Sequence, residues 1–62
     1  MTFAKILNDY EEGRITKEEI DLTATRLFEE AVYMAWHGDK EGQARLLNKA
    51  QAYVRALAEI CE

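Results

Sequence analysis

The sequence predicts an all-α fold, in which a short N-terminal helix is followed by a long antiparallel helical hairpin. Proline is absent from the 62 residues and glycine occurs three times, which suits long helices. Apolar side chains recur at helical spacing for about twenty residues on each side of His37-Gly38-Asp39. Gly38 favours the end of one helix, and the Asp39 carboxylate favours the start of the next. We expect a single helical domain with helices near 3–12, 17–37 and 40–61.

The first helix is predicted to begin with Thr2 as its N-cap and to end at Gly13. A helix of about ten residues is marginal alone in water, so its apolar face needs a docking surface. We expect it to pack on the hairpin, and the alternative is a mobile arm that docks on a partner. Its apolar residues share one face: Phe3, Ile6, Leu7 and Tyr10.

The second helix has the clearest start in the chain. Thr16 as N-cap and Glu19 three residues later form a capping box, in which each side chain satisfies a backbone amide of the other residue. Ile15 and Ile20 occupy the positions of a hydrophobic staple, which fixes the entry angle of the chain. These residues predict where the helix begins, and they carry no chemistry.

Apolar residues occupy two sides of the second helix, which indicates contacts with more than one neighbour. We expect helix one to cover part of the second side, and another copy of the chain or another partner to cover the rest. The second side carries Leu22, Tyr33 and Trp36, along a line that also carries Arg26 and Glu29. The broad first stripe, predicted to be core, contains Ile20, Ala24, Leu27, Phe28, Ala31, Val32, Met34 and Ala35.

The third helix has one apolar stripe and a polar far side that Ala52 and Ala56 interrupt. We interpret these two alanines as good helix formers, and the alternative is the close approach of another helix. Gly42 lies in the first turn, which we expect to be loose or distorted. The stripe, with Cys61 expected to point inward, contains Leu46, Leu47, Ala50, Tyr53, Val54, Leu57, Ile60 and Cys61.

Composition and motifs favour a non-catalytic protein without cofactor or metal. The chain has one histidine and one cysteine, and its glycines form no phosphate-binding loop. His37 is explained by its place in the last turn of a helix, where a cation is favoured, and Cys61 has no basic neighbour. A magnesium site needs acids that converge from at least two helices, and helix three offers none between Glu41 and Glu59. The remaining acids are read as helix-dipole partners and a solvated face: Glu18, Asp21, Glu29 and Glu30.

The leading functional hypothesis is a protein–protein interaction module that acts as an adaptor, inhibitor or regulatory subunit. Leu22, Tyr33 and Trp36 are its candidate contact residues, because aromatic anchors dominate binding energy at interfaces. A 62-residue chain buries a small core, so we also expect a homodimer in which two hairpins form a four-helix bundle with the first helices outside. A cytoplasmic location is expected from the lone cysteine and from the absence of a membrane span or signal peptide.

Two other functions remain open from the sequence. A net charge of −4 disfavours nucleic-acid binding, and helix three is long for a reading helix. A dimeric nucleic-acid regulator would use the basic residues Lys40, Arg45, Lys49 and Arg55. The other alternative is an acidic decoy or inhibitor from a mobile element, which would occupy a basic groove of a host protein through the face from Glu11 to Glu30.

Overall fold

A computed structural model describes residues 3–61, and those residues form three α-helices and no strand. Helix α1 spans Phe3–Glu11, α2 spans Lys17–Trp36 and α3 spans Lys40–Ile60. The predicted all-α class is thereby confirmed. The proposed N-cap, Thr2, lies outside the described residues. No helix in the described range is long and apolar enough to span a bilayer.

Helices α2 and α3 pack closely against each other as a hairpin. Gly38 has φ +77° and its amide donates to the Ala35 carbonyl, while the amide of Asp39 donates to the Met34 carbonyl. These two bonds form a Schellman motif, which satisfies carbonyls that the end of α2 would leave unpaired. The Asp39 carboxylate then accepts a hydrogen bond from the amide of Gly42 at 2.9 Å. The predicted end of α2 at Gly38 and the predicted start of α3 at Asp39 are therefore both confirmed.

The start of α2 also follows its sequence signal. The Glu19 amide donates to Thr16 Oγ1, and the Thr16 amide donates to Glu19 Oε1, each at 3.1 Å. This reciprocal pair is the predicted capping box. It satisfies two backbone amides and so defines the first turn of α2.

Helix α1 docks on the hairpin, mainly on α3. Ile6 is buried in one cluster with Ile20 of α2 and Ala56 of α3, and the guanidinium of Arg55 lies 5.0 Å from the centre of the Phe3 ring. The expectation that α1 covers the second apolar side of α2 is wrong. Docking on α3 leaves that side open.

The buried core contains few large side chains. Among the described residues, Ile6 and Ile20 are the largest that are fully buried, and Tyr53 is also buried. The other buried residues are alanines, which let helices approach closely. Ala56 is 0% exposed, so its interpretation as merely a good helix former is wrong. The buried alanines are Ala24, Ala31, Ala50 and Ala56.

Several residues that the sequence places in the core are exposed. Phe28 and Val32 of α2 and Val54 of α3 expose two-fifths or more of their surface, and Cys61 is also exposed rather than directed inward. The physical reason is that small residues occupy the middle of the α2–α3 contact. Bulky residues of the same stripes, such as Phe28, therefore lie to one side of this contact. Ala35 lies on the same side of α2 as Phe28 and is also exposed.

Gly42 belongs to a regular first turn of α3, contrary to the expected distortion. A Cβ atom placed on Gly42 would lie 2.5 Å from Oδ2 of Asp39. Glycine at this position leaves space for the capping carboxylate. Its low helix propensity is thus offset by the cap that it permits.

Candidate functional site

The candidate site is the exposed side of α2 that carries Leu22, Tyr33 and Trp36, together with the charged Arg26 and Glu29. Trp36 is 86% exposed, Tyr33 is 60% exposed and Leu22 is 53% exposed. The sequence selected these three residues as contact residues, and the structure places all of them in solvent. Tyr33 and Trp36 are neighbours one turn apart, whereas Leu22 lies about three turns away along α2.

The last turns of α2 hold two of these residues in place. Tyr33 stacks against His37 with ring centroids 4.3 Å apart and ring planes inclined by 40°. The His37 amide donates to the carbonyls of Tyr33 and Met34 at the start of the turn. The Tyr33 ring is therefore positioned by a helix end that the Gly38 turn fixes, and Trp36 projects from the same end.

A second apolar surface lies on the broad side of the hairpin away from α1. On α3, Ala52 and Ala56 pack in the cluster that contains α1, and Leu47 and Val54 lie nearly opposite them around the helix. Because α2 and α3 run antiparallel, the corresponding side of α2 carries Phe28, Val32 and Ala35. We call this surface the open face, and it consists of Phe28, Val32, Ala35, Leu47 and Val54.

Polar groups next to the open face are already satisfied within the helix. The Thr25 hydroxyl donates to the carbonyl of Asp21 at 3.0 Å. This bond removes a donor from the surface and leaves the Thr25 methyl group beside Phe28 and Val32 on the helical wheel. The open face therefore has an apolar character along the middle of α2.

The four basic residues of the nucleic-acid alternative are all exposed on α3. Arg45 and Lys49 are one turn apart and share a side of the helix. Lys40 and Arg55 lie on other sides, and the Arg55 guanidinium rests over Phe3. The structure does not bring these four cations together on one surface.

Groups that could carry catalysis or bind metal are dispersed. Within residues 3–61, no three His, Cys, Asp or Glu side chains are placed to hold a metal ion. An open groove of about 230 Å³ lies between α1 and the end of α3, which is smaller than the roughly 300 Å³ at which ligand pockets begin. Its lining is Leu7, Tyr10, Glu11, Glu59 and Ile60.

Sequence reasoning missed the open face because it assigned Phe28, Val32 and Val54 to the core. The width of the predicted core stripe of α2 was a signal. Its two edges on the helical wheel are Met34 and Val32, and the sector between them is nearly half of the wheel. One neighbouring helix covers a narrower sector than that. Helix α1 accounts for one end of this stripe, where Leu27 packs against the cluster that contains Ile6, and Phe28 and Val32 at the other end are exposed.

No family model, no curated protein and no solved structure matches this chain in comparisons with known proteins.

Proposed function

We propose that this chain is a non-catalytic protein–protein interaction module, which acts as an adaptor, inhibitor or regulatory subunit. The observation that carries the proposal is the exposure of Trp36, Tyr33 and Leu22 on a well-capped helix. Binding at this surface removes large apolar groups from water without ordering a flexible loop. A partner therefore gains burial energy at a low entropic cost.

Burial of these residues would contribute to the stability of a complex. Full burial of a large apolar side chain contributes about 1.5–3 kcal/mol. Trp and Tyr are enriched among the residues that dominate binding, and each has two side-chain torsions to fix. Trp36 supports the proposal most strongly because nearly all of its ring is open to solvent.

We further propose that the protein self-associates, with two hairpins forming a four-helix assembly. The support is the small core, in which alanines fill most of the buried positions. Domains of this size usually need an additional source of stability, and oligomerisation is one source that does not require cysteine pairs or metal.

The function is tested by comparing the proteins that wild-type and Trp36→Ala chains retain from a lysate of the source cells. We expect at least one protein to bind wild type and to decrease by about tenfold or more with the variant, since a hot-spot aromatic is worth about 2 kcal/mol or more. The matched control is Glu30→Ala, which changes an exposed residue on another side of α2. Equal retention by all three chains would contradict the assignment of Trp36.

A further inference from the structure

The groove between α1 and the end of α3 brings apolar, aromatic and acidic residues together. Its floor and rim are formed by Leu7, Tyr10, Glu11, Glu59 and Ile60. Helix α3 is about 30 Å long at 1.5 Å per residue, and the groove lies at the end of α3 remote from the turn that joins it to α2. The groove is therefore a separate surface from the aromatic end of α2.

Helices α1 and α3 run in roughly the same direction along their contact. At the start of α1, the ring of Phe3 lies 5.0 Å from the guanidinium of Arg55. Near the end of α1, Tyr10 and Glu11 share the groove with Ile60. The C-terminal ends of two helices, each of which is the negative pole of a helix dipole, therefore meet at the groove.

Acids lie at these two helix ends, where cations are usually found. The last turns of α1 and α3 contain no basic residue, and Glu11 and Glu59 add negative charge there. A carboxylate near a helix C-terminus is unfavourable because it adds to the negative pole. Proteins depart from such local rules mainly at functional sites.

The cations near this end of the molecule are engaged elsewhere. Arg14 forms ion pairs with Asp9 at 3.6 Å and with Glu12 at 3.2 Å. Arg55 is one turn before Glu59, but its guanidinium rests over the aromatic ring at the start of α1. Among the residues that the structure describes, neither acid of the groove has a hydrogen bond or an ion pair.

The start of α2, at the same end of the molecule, does not neutralise the groove either. Lys17 lies five turns before Ala35 on the same side of α2, which is the side away from α1. The positive pole of α2 is opposed by Glu18 and Glu19 in its own first turn. The groove thus keeps a local negative potential.

The size and lining of the groove suit one long basic side chain. At about 30 Å³ for each water-sized group, a volume of about 230 Å³ holds about eight groups, close to the size of an arginine side chain. Basic side chains bury their methylene stems on apolar surface and keep the charge at the rim. Tyr10 is 36% exposed, and guanidinium groups stack on aromatic rings and donate to carboxylates in a planar fork.

We propose that this groove binds an arginine side chain of another protein. The stem of the arginine packs on Leu7 and Ile60, and its guanidinium lies against Tyr10 and between the two acids. Charge selects the occupant, since two unpaired carboxylates and two negative helix poles favour a cation. The site adds a second point of attachment to the interaction module, remote from Trp36.

The test is a titration at constant ionic strength, followed by the amide NMR spectrum of the isotope-labelled protein. The probe is a blocked peptide of alanines with one central arginine, and the control peptide carries citrulline, which has nearly the same shape and no charge. We expect saturable shifts around the groove with Kd of about 1–10 mM, since few atoms are bound. The citrulline peptide should bind about tenfold more weakly.

Variants without one of the charges locate the site. Glu11→Gln and Glu59→Gln should each raise Kd for the arginine peptide by about two- to fivefold, and the double variant by about tenfold. Glu41→Gln is the matched control, because it removes the same charge from the other end of α3 and should leave Kd unchanged. The amide spectrum also verifies that each variant keeps the fold.

Three results would overturn the inference: no saturation up to about 50 mM, equal affinity for the citrulline peptide, or equal losses in Glu41→Gln and Glu59→Gln. A lysine peptide that binds more tightly than the arginine peptide would overturn the choice of arginine. Trp36→Ala should leave arginine binding unchanged, because Trp36 lies at the other end of the hairpin. The groove and the aromatic site can therefore fail separately.

Discussion

At the scale of single residues, Asp39 and Gly42 depend on each other. The Asp39 carboxylate accepts the Gly42 amide, and its second oxygen lies where a Cβ of residue 42 would be. A side chain at position 42 therefore displaces the cap. The helix propensity of glycine and the strength of the cap cannot be added as independent quantities at this turn.

We predict that Gly42→Ala does not stabilise the protein, although replacing glycine by alanine within a helix usually stabilises by about 0.5–1 kcal/mol. The expected gain is cancelled by loss of the cap, which is worth about 1 kcal/mol. In the Asp39→Ala background no carboxylate is displaced, so Gly42→Ala should recover the usual gain. Urea denaturation of wild type, the two single variants and the double variant measures the coupling between positions 39 and 42. Additive changes in the free energy of unfolding would contradict this coupling.

Tyr53 gives the fold a pH dependence. Its burial, and secondarily the negative charge of Asp9, raises the pKa of the phenol above the usual value of 10.0. The folded state therefore holds the phenolic proton more tightly than the unfolded state does. Stability from this group is fully present below about pH 10 and decreases as the pH rises through the folded pKa.

We predict that the free energy of unfolding falls as the pH rises above about 10, and that Tyr53→Phe removes part of this fall. Urea titrations followed by far-UV circular dichroism measure the difference between the two proteins at each pH. The exposed Tyr33 provides the control, since Tyr33→Phe should retain the alkaline loss of wild type. If the free energy of unfolding of Tyr53→Phe falls with pH in parallel with that of wild type, the phenol of Tyr53 is not the source of the pH dependence.

At the scale of the helices, close contact depends on alanines. Ala56 is fully buried in the cluster that α1, α2 and α3 share, and Ala24 faces it from α2. A larger side chain at position 56 has to move a helix. Protein interiors resist such movement because they are close-packed.

We predict that Ala56→Leu destabilises the protein by about 1–3 kcal/mol through overpacking. Ala44→Leu is the matched control on the same helix, and we expect it to change stability by less than about 0.5 kcal/mol, because Ala44 is exposed. Urea denaturation measures both variants at one low protein concentration, which limits any contribution from dimers. Equal effects would show that burial of Ala56 does not restrict side-chain size.

The ends of the helices could be predicted from sequence because their signals are local. Thr16 with Glu19, and Gly38 with Asp39, satisfy backbone groups within a few residues of themselves. Such interactions depend on the chain nearby and not on what packs against it. These local signals, together with the apolar spacing, predict three α-helices in the observed order.

At the scale of the whole molecule, sequence reasoning failed where the outcome depends on which helix faces which. The docking of α1 on α3, through Ile6 and Ala56, is a tertiary choice that helical periodicity does not encode. The exposure of Phe28 and Val54 follows from the same choice, because α1 covers one broad side of the hairpin and leaves the other open. The candidate contact residues Leu22, Tyr33 and Trp36 were identified because they fall outside every predicted core stripe.

The open face adjoins the aromatic end of α2, because Val32 is one turn from Trp36. The principal extents are 38 × 20 × 17 Å, and α1 lies on one broad side of the hairpin.

The turn between the long helices limits how this protein can be altered. Asp39 closes α2 through its amide and opens α3 through its carboxylate, so one residue joins two helices without a spacer. Insertion of even one residue between Gly38 and Asp39 would separate these two functions and rotate α3 relative to α2. Labels, linkers and fused domains should therefore be placed elsewhere on the chain. We also expect homologues of this sequence to lack insertions and deletions at this turn.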